Sequence, residues 1–190
     1  MGGLLSVAWG WVTAAGKAGS IMQPEEGSLG PYADVPDKTT GLTLRHRTAI
    51  YRTWDLVRPN VKLHGPNFFR AMFEAEPILQ TRFKSFIGKT KEELKKDNKR
   101  LVAHGTTVFM AITSLVDNLE DVPVLVELIK NTANNHIRHG VPKEDFEMLP
   151  PILLKFMRDT LGSAWSPVAE EGWSQAVKVI ISVILSVYDE

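Results

Sequence analysis

Arg100-Leu101-Val102-Ala103-His104-Gly105-Thr106-Thr107-Val108-Phe109-Met110-Ala111-Ile112 and Leu125-Val126-Glu127-Leu128-Ile129-Lys130-Asn131-Thr132-Ala133-Asn134-Asn135-His136-Ile137-Arg138-His139-Gly140-Val141 are the two stretches on which the fold turns. In the first, Leu101, Val108, Ala111, Ile112 and Leu115 recur at the three-and-four spacing of an amphipathic helix. His104 falls three after Leu101 and four before Val108, so it points into the apolar face. In the second, Leu125, Leu128, Ile129, Thr132 and His136 share one helical face, and Gly140 stops the helix. Two helices that each offer an inward imidazole to the same apolar space enclose a dry slot with a nitrogen on either side. A flat iron macrocycle fits such a slot. Each histidine alone says little, because a histidine on an apolar face is more often a hydrogen-bonded core residue than a ligand. His139 competes with His136, but it directly precedes Gly140 and lies about 300° round the helix from it, nearer the surface.

The surrounding residues give the pair its weight. Trp54 stands in Tyr51-Arg52-Thr53-Trp54, followed by Phe68-Phe69-Arg70-Ala71-Met72-Phe73. Pro77 is followed six residues later by Phe83, with Phe86 after it. Val108 lies four beyond His104, and Val141 and Phe146 lie beyond His136. Trp165-Ser166-Pro167 opens the last segment and Tyr188 closes it. From Gly41 to Glu190 this pattern resembles the globin family. The resemblance implies an all-α globin fold, a three-over-three helical sandwich. It implies haem b (iron protoporphyrin IX) as cofactor, with His136 as proximal ligand and His104 as distal residue. Phe83 would stack on the porphyrin, with Phe86 completing that corner, Val108 and Phe69 crowding the distal side, and Val141 and Phe146 lining the proximal side. The gaps of 21 residues (104 − 83) and 32 residues (136 − 104) are similar to those of the cytoglobin, neuroglobin and globin X group. Members of that group often let the distal histidine bind iron itself, so bis-histidine (hexacoordinate) coordination is the expectation. His46 and His64 fall outside the pocket and are read as surface residues.

Departures from the family pattern carry their own expectations. Pro150-Pro151 falls inside Lys143 to Leu161, read as the penultimate helix. Two prolines remove backbone donors and clash with the preceding turn, so a kink or break is expected. Thr132 stands one turn before His136, where the family usually has leucine; a polar contact to the proximal imidazole would follow from it. Helices are expected at 42–58, 61–76, 78–83, 97–118, 122–138, 143–161 and 167–188. The charged run Lys89 to Lys99 reads as a solvated short helix leading into the distal one.

The 190 residues suggest one domain with enough chain for a sizeable core. Twenty-two basic and 22 acidic residues cancel, so nothing argues for nucleic acid as a partner. The absence of cysteine excludes disulfides and a thiolate haem ligand, and agrees with a reducing, cytoplasmic setting. Residues 1–38 differ from the globin domain expected at 39–190. They are rich in glycine and proline, and read as a flexible linker from about Ile21 onward. Met1-Gly2-Gly3-Leu4-Leu5-Ser6 matches the N-myristoylation pattern, which makes Gly2 a candidate lipidation site and the inner face of the plasma membrane a candidate location. One acyl chain binds membranes only marginally, and this tail lacks the polybasic patch or cysteine that would supply a second signal. Trp9 and Trp11 offer interfacial anchoring instead. Lys17 interrupts an uncharged run too short to span a bilayer.

Three functional classes remain on the sequence alone. The first is a haem protein binding O2, CO, NO or nitrite, in redox chemistry or sensing rather than bulk oxygen transport. The second is a haem-free globin-fold interaction module tethered to membranes. The third is an enzyme proper, a nitrite reductase or nitric oxide dioxygenase. It would have to borrow an external reductase, since no dinucleotide-binding G-x-G-x-x-G motif occurs in the chain.

Overall fold

The computed structural model describes residues 29–95 and 98–190. Gly2 and the rest of the candidate acylation motif lie outside them, as do Trp9 and Trp11. Among the described residues there are eight α-helices and no strand. They are α1 (Leu44–Val57), α2 (Val61–Ala75), α3 (Pro77–Gln80), α4 (Lys99–Asp117), α5 (Val122–Arg138), α6 (Lys143–Glu147), α7 (Leu149–Leu161) and α8 (Pro167–Tyr188). Single-turn 3₁₀ segments at Arg58–Asn60 and Gly162–Ala164 join α1 to α2 and α7 to α8.

Side chains fix where the long helices begin. The Asn98 carboxamide oxygen accepts the Leu101 N–H at 3.1 Å, and the Asp121 carboxylate accepts the Val124 N–H at 3.2 Å. Ser166 does the same for Ala169 at 3.2 Å, with Pro167 in the first turn, where its missing donor costs nothing. α1 opens on a reciprocal box: Thr43 Oγ1 accepts from the His46 N–H at 3.0 Å, and His46 Nδ1 accepts from the Thr43 N–H at 3.4 Å.

The helices stack as two layers, with α1, α4 and α5 over α2, α7 and α8. The closest packing between layers is α2 on α4, then α1 on α8 and α5 on α8. Trp54, Phe109, Leu101, Ile129 and Met157 have no exposed surface at the centre. Two indole donors are satisfied inside this apolar mass, one tying α1 to α4 within a layer and one tying α8 to α1 across the layers. Trp54 Nε1 donates to Thr113 Oγ1 at 3.0 Å, and Trp173 Nε1 donates to the buried Thr53 Oγ1 at 2.9 Å. Thr53→Val keeps the shape but leaves the Trp173 N–H unpaired. A loss of about 1–3 kcal/mol is expected in urea unfolding. A change inside experimental error would mean that this bond contributes nothing.

The structure departs from the sequence reading in three places, and it gives the expected break in the penultimate helix its position. Lys143 to Leu161 is two helices, and the break at Met148 leaves Pro150 and Pro151 in the first turn of α7, where prolines are tolerated. Residues 29–38, read as linker, are turns held against α1. Ala33 is buried, its carbonyl accepts the Arg45 N–H at 3.1 Å, and the Arg45 guanidinium grips Asp34 at 2.7 and 3.0 Å. Asp37 organises the following turn by accepting from the Thr39 and Thr40 N–H groups and the Thr40 hydroxyl. Lys89 to Lys95 is a set of turns rather than a helix, and its Leu94 is buried. His46 and His64 are half-buried rather than surface residues, with His46 Nε2 3.7 Å from Glu171.

Candidate functional site

His104 reaches the site because α2 and α4 cross almost backbone on backbone. A Cβ built on Gly65 would stand 2.3 Å from the carbonyl carbon of Gly105, and one on Gly105 would stand 2.5 Å from that of Gly65. No side chain fits between them, so two glycines are required here. The crossing splits α4 into two stripes. Leu101, Gly105, Phe109 and Val116 are buried, while His104, one position back from Gly105, borders an open cleft. Two aromatic rings support the imidazole. Phe69 lies 4.9 Å and Phe83 5.2 Å from the His104 ring, both edge-on, and Phe69 meets Phe83 at 5.5 Å. Phe86 sits 6.0 Å from Phe83, and Phe73 touches both.

A cavity of about 430 Å³ opens beside this wall, bordered by Phe83, Phe86, Ala103, His104 and Thr107, with Lys84, Ser85 and Arg100 at its mouth. His104 counts as exposed because this cleft is open, yet the protein around it excludes enough water to matter. Burial first, and then the charge of His136, hold the His104 imidazole below the ordinary histidine value of 6.5. His104 is therefore held toward its neutral form. His136 does not border the cavity itself; it stands on the other wall, and its charge is felt at His104.

That second wall is built from α5, α6 and α8. Leu125, Ile129 and Ala133 bury one stripe of α5, and Leu128, Thr132 and His136 form the half-buried stripe beside it. His136 Nδ1 lies 2.8 Å from the Thr132 carbonyl oxygen. A carbonyl can only accept, so Nδ1 donates a proton there, and in the neutral imidazole the lone pair lies on Nε2. The polar contact at Thr132 thus comes from its backbone; its hydroxyl donates to the Leu128 carbonyl instead. The Phe146 ring lies 4.9 Å from His136 and 5.9 Å from Tyr188. The Tyr188 hydroxyl donates to the Val141 carbonyl at 2.8 Å, and the Val141 N–H returns to the His136 carbonyl at 3.1 Å. Gly140, at φ +69°, makes the turn that brings Val141 back. His139 and Arg138 are exposed.

The structure thus gathers Phe69, Phe83, Phe86 and His104 on one wall, and His136, Val141 and Phe146 on the other, while Val108 is half-buried and packs against the core. The sequence reading missed Gly65 and Thr107, and it assigned Gly105 no part in a helix crossing. No periodicity marks a glycine as a contact; only the paired close approach does. This donor set suits a haem. Among the described residues no three or more histidine, cysteine, aspartate or glutamate side chains cluster as for a bare metal ion. Two imidazoles suit a metal whose remaining donors come with it.

A model of the globin family matches residues 66–184. The chain is a globin. Globins bind haem, and haem-based binding of small gases is the class of function this membership brings. Among similar proteins, a globin of Nerita albicilla is 26% identical over 148 residues, covering 78% of this chain and 94% of that protein. Anaerobic nitrite reductase HBII of Casuarina glauca is 27% identical over 147 residues, covering 76% of this chain and 91% of that one. A neuroglobin of Dissostichus mawsoni is 26% identical over 145 residues, covering 75% and 90%. No helix among the described residues of this globin is long and apolar enough to cross a membrane.

One prediction concerns this globin's acid stability. Burial alone pushes the His64 imidazole below 6.5. The unfolded chain then binds the extra proton more readily than the folded one. The stability tied to His64 is fully present above pH 6.5 and is lost as pH falls toward the lowered folded value. Paired carboxylates such as Glu74, held below 4.5 chiefly by its hydrogen bond from Lys91, act in a more acidic window. Urea midpoints of His64→Gln should therefore fall less than wild type between pH 7.5 and 5.5. Parallel curves would remove His64 from the account.

Proposed function

We propose that this globin binds haem b between His136 and His104, is hexacoordinate at rest, and serves redox chemistry, sensing, or nitrite and nitric oxide turnover rather than bulk oxygen transport. The observation that carries this reading is the 2.8 Å contact of His136 Nδ1 with the Thr132 carbonyl, which in the neutral ring leaves Nε2 as the donor. When bound, haem supplies an iron centre that takes up small gases and exchanges one electron.

The chain's own residues set the terms. The Thr132 carbonyl fixes the plane of the His136 ring, and the edge of Phe146 keeps it from turning. Phe69 and Phe83 hold His104 edge-on at 4.9 and 5.2 Å, which sets its resting position. Burial keeps its lone pair unprotonated near neutral pH. His104 must withdraw before an external ligand enters, so apparent affinity is reduced by the fraction of open protein. That suits turnover or sensing better than loading and unloading a gas. The relative named as an anaerobic nitrite reductase favours nitrite as one ligand.

The absorption spectrum of the deoxygenated ferrous protein tests this. Sharp, split visible bands of a six-coordinate centre are expected; a broad five-coordinate band would overturn hexacoordination. A pyridine haemochrome assay that found no haem would favour the tethered, haem-free module instead. We take residues 39–190 as the globin domain, with the turns from about residue 30 docked onto it. Gly2, at the start of the preceding extension, is the proposed myristoylation site and membrane link. Incorporation of labelled myristate that Gly2→Ala abolishes is the expected result.

A further inference from the structure

Asp145 is a buried carboxylate, 5% exposed, beside the Phe146 ring. Its partner is Arg82, 63 positions away in sequence. Arg82 Nε donates to Oδ2 at 2.7 Å, and its NH2 nitrogen donates to Oδ1 at 3.1 Å. This is a two-pronged grip, the planar guanidinium matching both carboxylate oxygens at once. Among the described residues it is the one ion pair joining residues 77–95 to residues 136–161.

The neighbours of the two residues give the pair its meaning. Arg82 directly precedes Phe83, the ring that supports His104 from the side. Asp145 directly precedes Phe146, the ring that supports His136. The α6 segment carrying Asp145 and Phe146 also meets Tyr188. Each charge thus stands one residue from an aromatic that positions one of the two imidazoles. α3 and the turn after it pack mainly on α2, whereas α6 packs mainly on α7 and α8. Little else holds the two walls in register on this side.

We propose that Arg82 and Asp145 form a clasp that fixes the separation of the pocket's two walls, making both of them positioning residues for the slot between His104 and His136. This rests on the haem reading above and adds a control to it. Opening the clasp leaves a negative charge buried without a partner, which draws in water or forces the walls apart. The slot then widens, His104 and His136 no longer reach the same centre, and the bound group escapes. Lysine at position 82 keeps the charge but cannot supply both prongs, so it restores only part of the effect.

The test uses the full chain loaded with haem, with Arg82→Gln, Asp145→Asn and the pair together. Haem loss to an excess of a scavenging protein is followed alongside the ferric spectrum and the urea midpoint of the apoprotein. Each single variant should lose haem about tenfold faster or more, with part of its spectrum shifted to a high-spin form. The double variant should be no faster than the worse single, because one link is being removed twice. Rates within about twofold of wild type in all three would overturn the clasp. So would multiplying effects, or haem loss accounted for wholly by a lower apoprotein midpoint. If wild type holds no haem, the functional reading fails rather than the clasp. The clasp is then read from hydrogen exchange of the apoprotein. Arg82→Gln should speed exchange in residues 82–88 and 143–147 while leaving α8 unchanged, and unchanged exchange in both segments would overturn it.

Discussion

His136→Ala is expected to yield a folded but nearly colourless protein. The imidazole is the one donor on its wall whose lone pair is freed by a fixed hydrogen bond, the 2.8 Å contact from Nδ1 to the Thr132 carbonyl. Alanine removes that donor and leaves a hole beside Phe146 that no neighbouring side chain fills. His139 is no substitute, since it caps α5 and is exposed. Pigment content after purification should fall at least about tenfold, and millimolar imidazole should restore part of it by entering the hole. His139→Ala, as control, should keep full colour. Equal pigment in both variants would remove His136 from the axial position. Because the half-buried His136 contributes little to the core, the urea midpoint of the apoprotein should change far less than the colour does.

The second large effect is expected at Gly105. Alanine there places a Cβ 2.5 Å from the backbone of Gly65 and Pro66, and backbone cannot swing aside as a flexible side chain can. Either α2 and α4 separate or the strain stays in the fold. Both routes are costly, and roughly 3 kcal/mol or more of stability should be lost. Gly65→Ala should behave alike, since its Cβ would meet the Gly105 carbonyl at 2.3 Å. The double variant should cost less than the sum, because helices already parted by one methyl admit the second more easily. Urea unfolding of the three proteins decides the matter. A loss below about 1 kcal/mol for either single variant would mean that the crossing is looser than described. Parting these helices also displaces His104, the residue next to Gly105, so ligand affinity should change in the same variants.

Much of this architecture is legible in the sequence because helices advertise themselves twice, by apolar period and by cap. The limits of α5 are those expected, 122–138 with Gly140 just beyond, while α4 starts at Lys99, two residues later than expected, after Asn98 caps it. The proline pair shows where composition alone misleads about position. Pro150 and Pro151 do interrupt a helix, but they open the next one instead of kinking the first. The histidine pair was legible because its aromatic company recurs at fixed spacings. The two stripes of α4 were less so. Period alone put Val108, Ala111 and Ile112 on the apolar face and passed over Phe109, which is fully buried. The face of a helix that borders a ligand slot carries the same apolar signature as one that borders the core, and only the glycine crossing separates them. The Arg82–Asp145 pair left no trace in the sequence, because two charges 63 positions apart look like solvated surface until the fold brings them together.

The central claim is that one iron is shared between His136 and His104. Electron paramagnetic resonance of the ferric protein, wild type beside His104→Leu, tests it most directly. Wild type is expected to give a low-spin signal of two imidazole ligands, and the variant a high-spin signal with its haem retained. A high-spin signal in wild type, or a low-spin signal that survives the loss of His104, would contradict it.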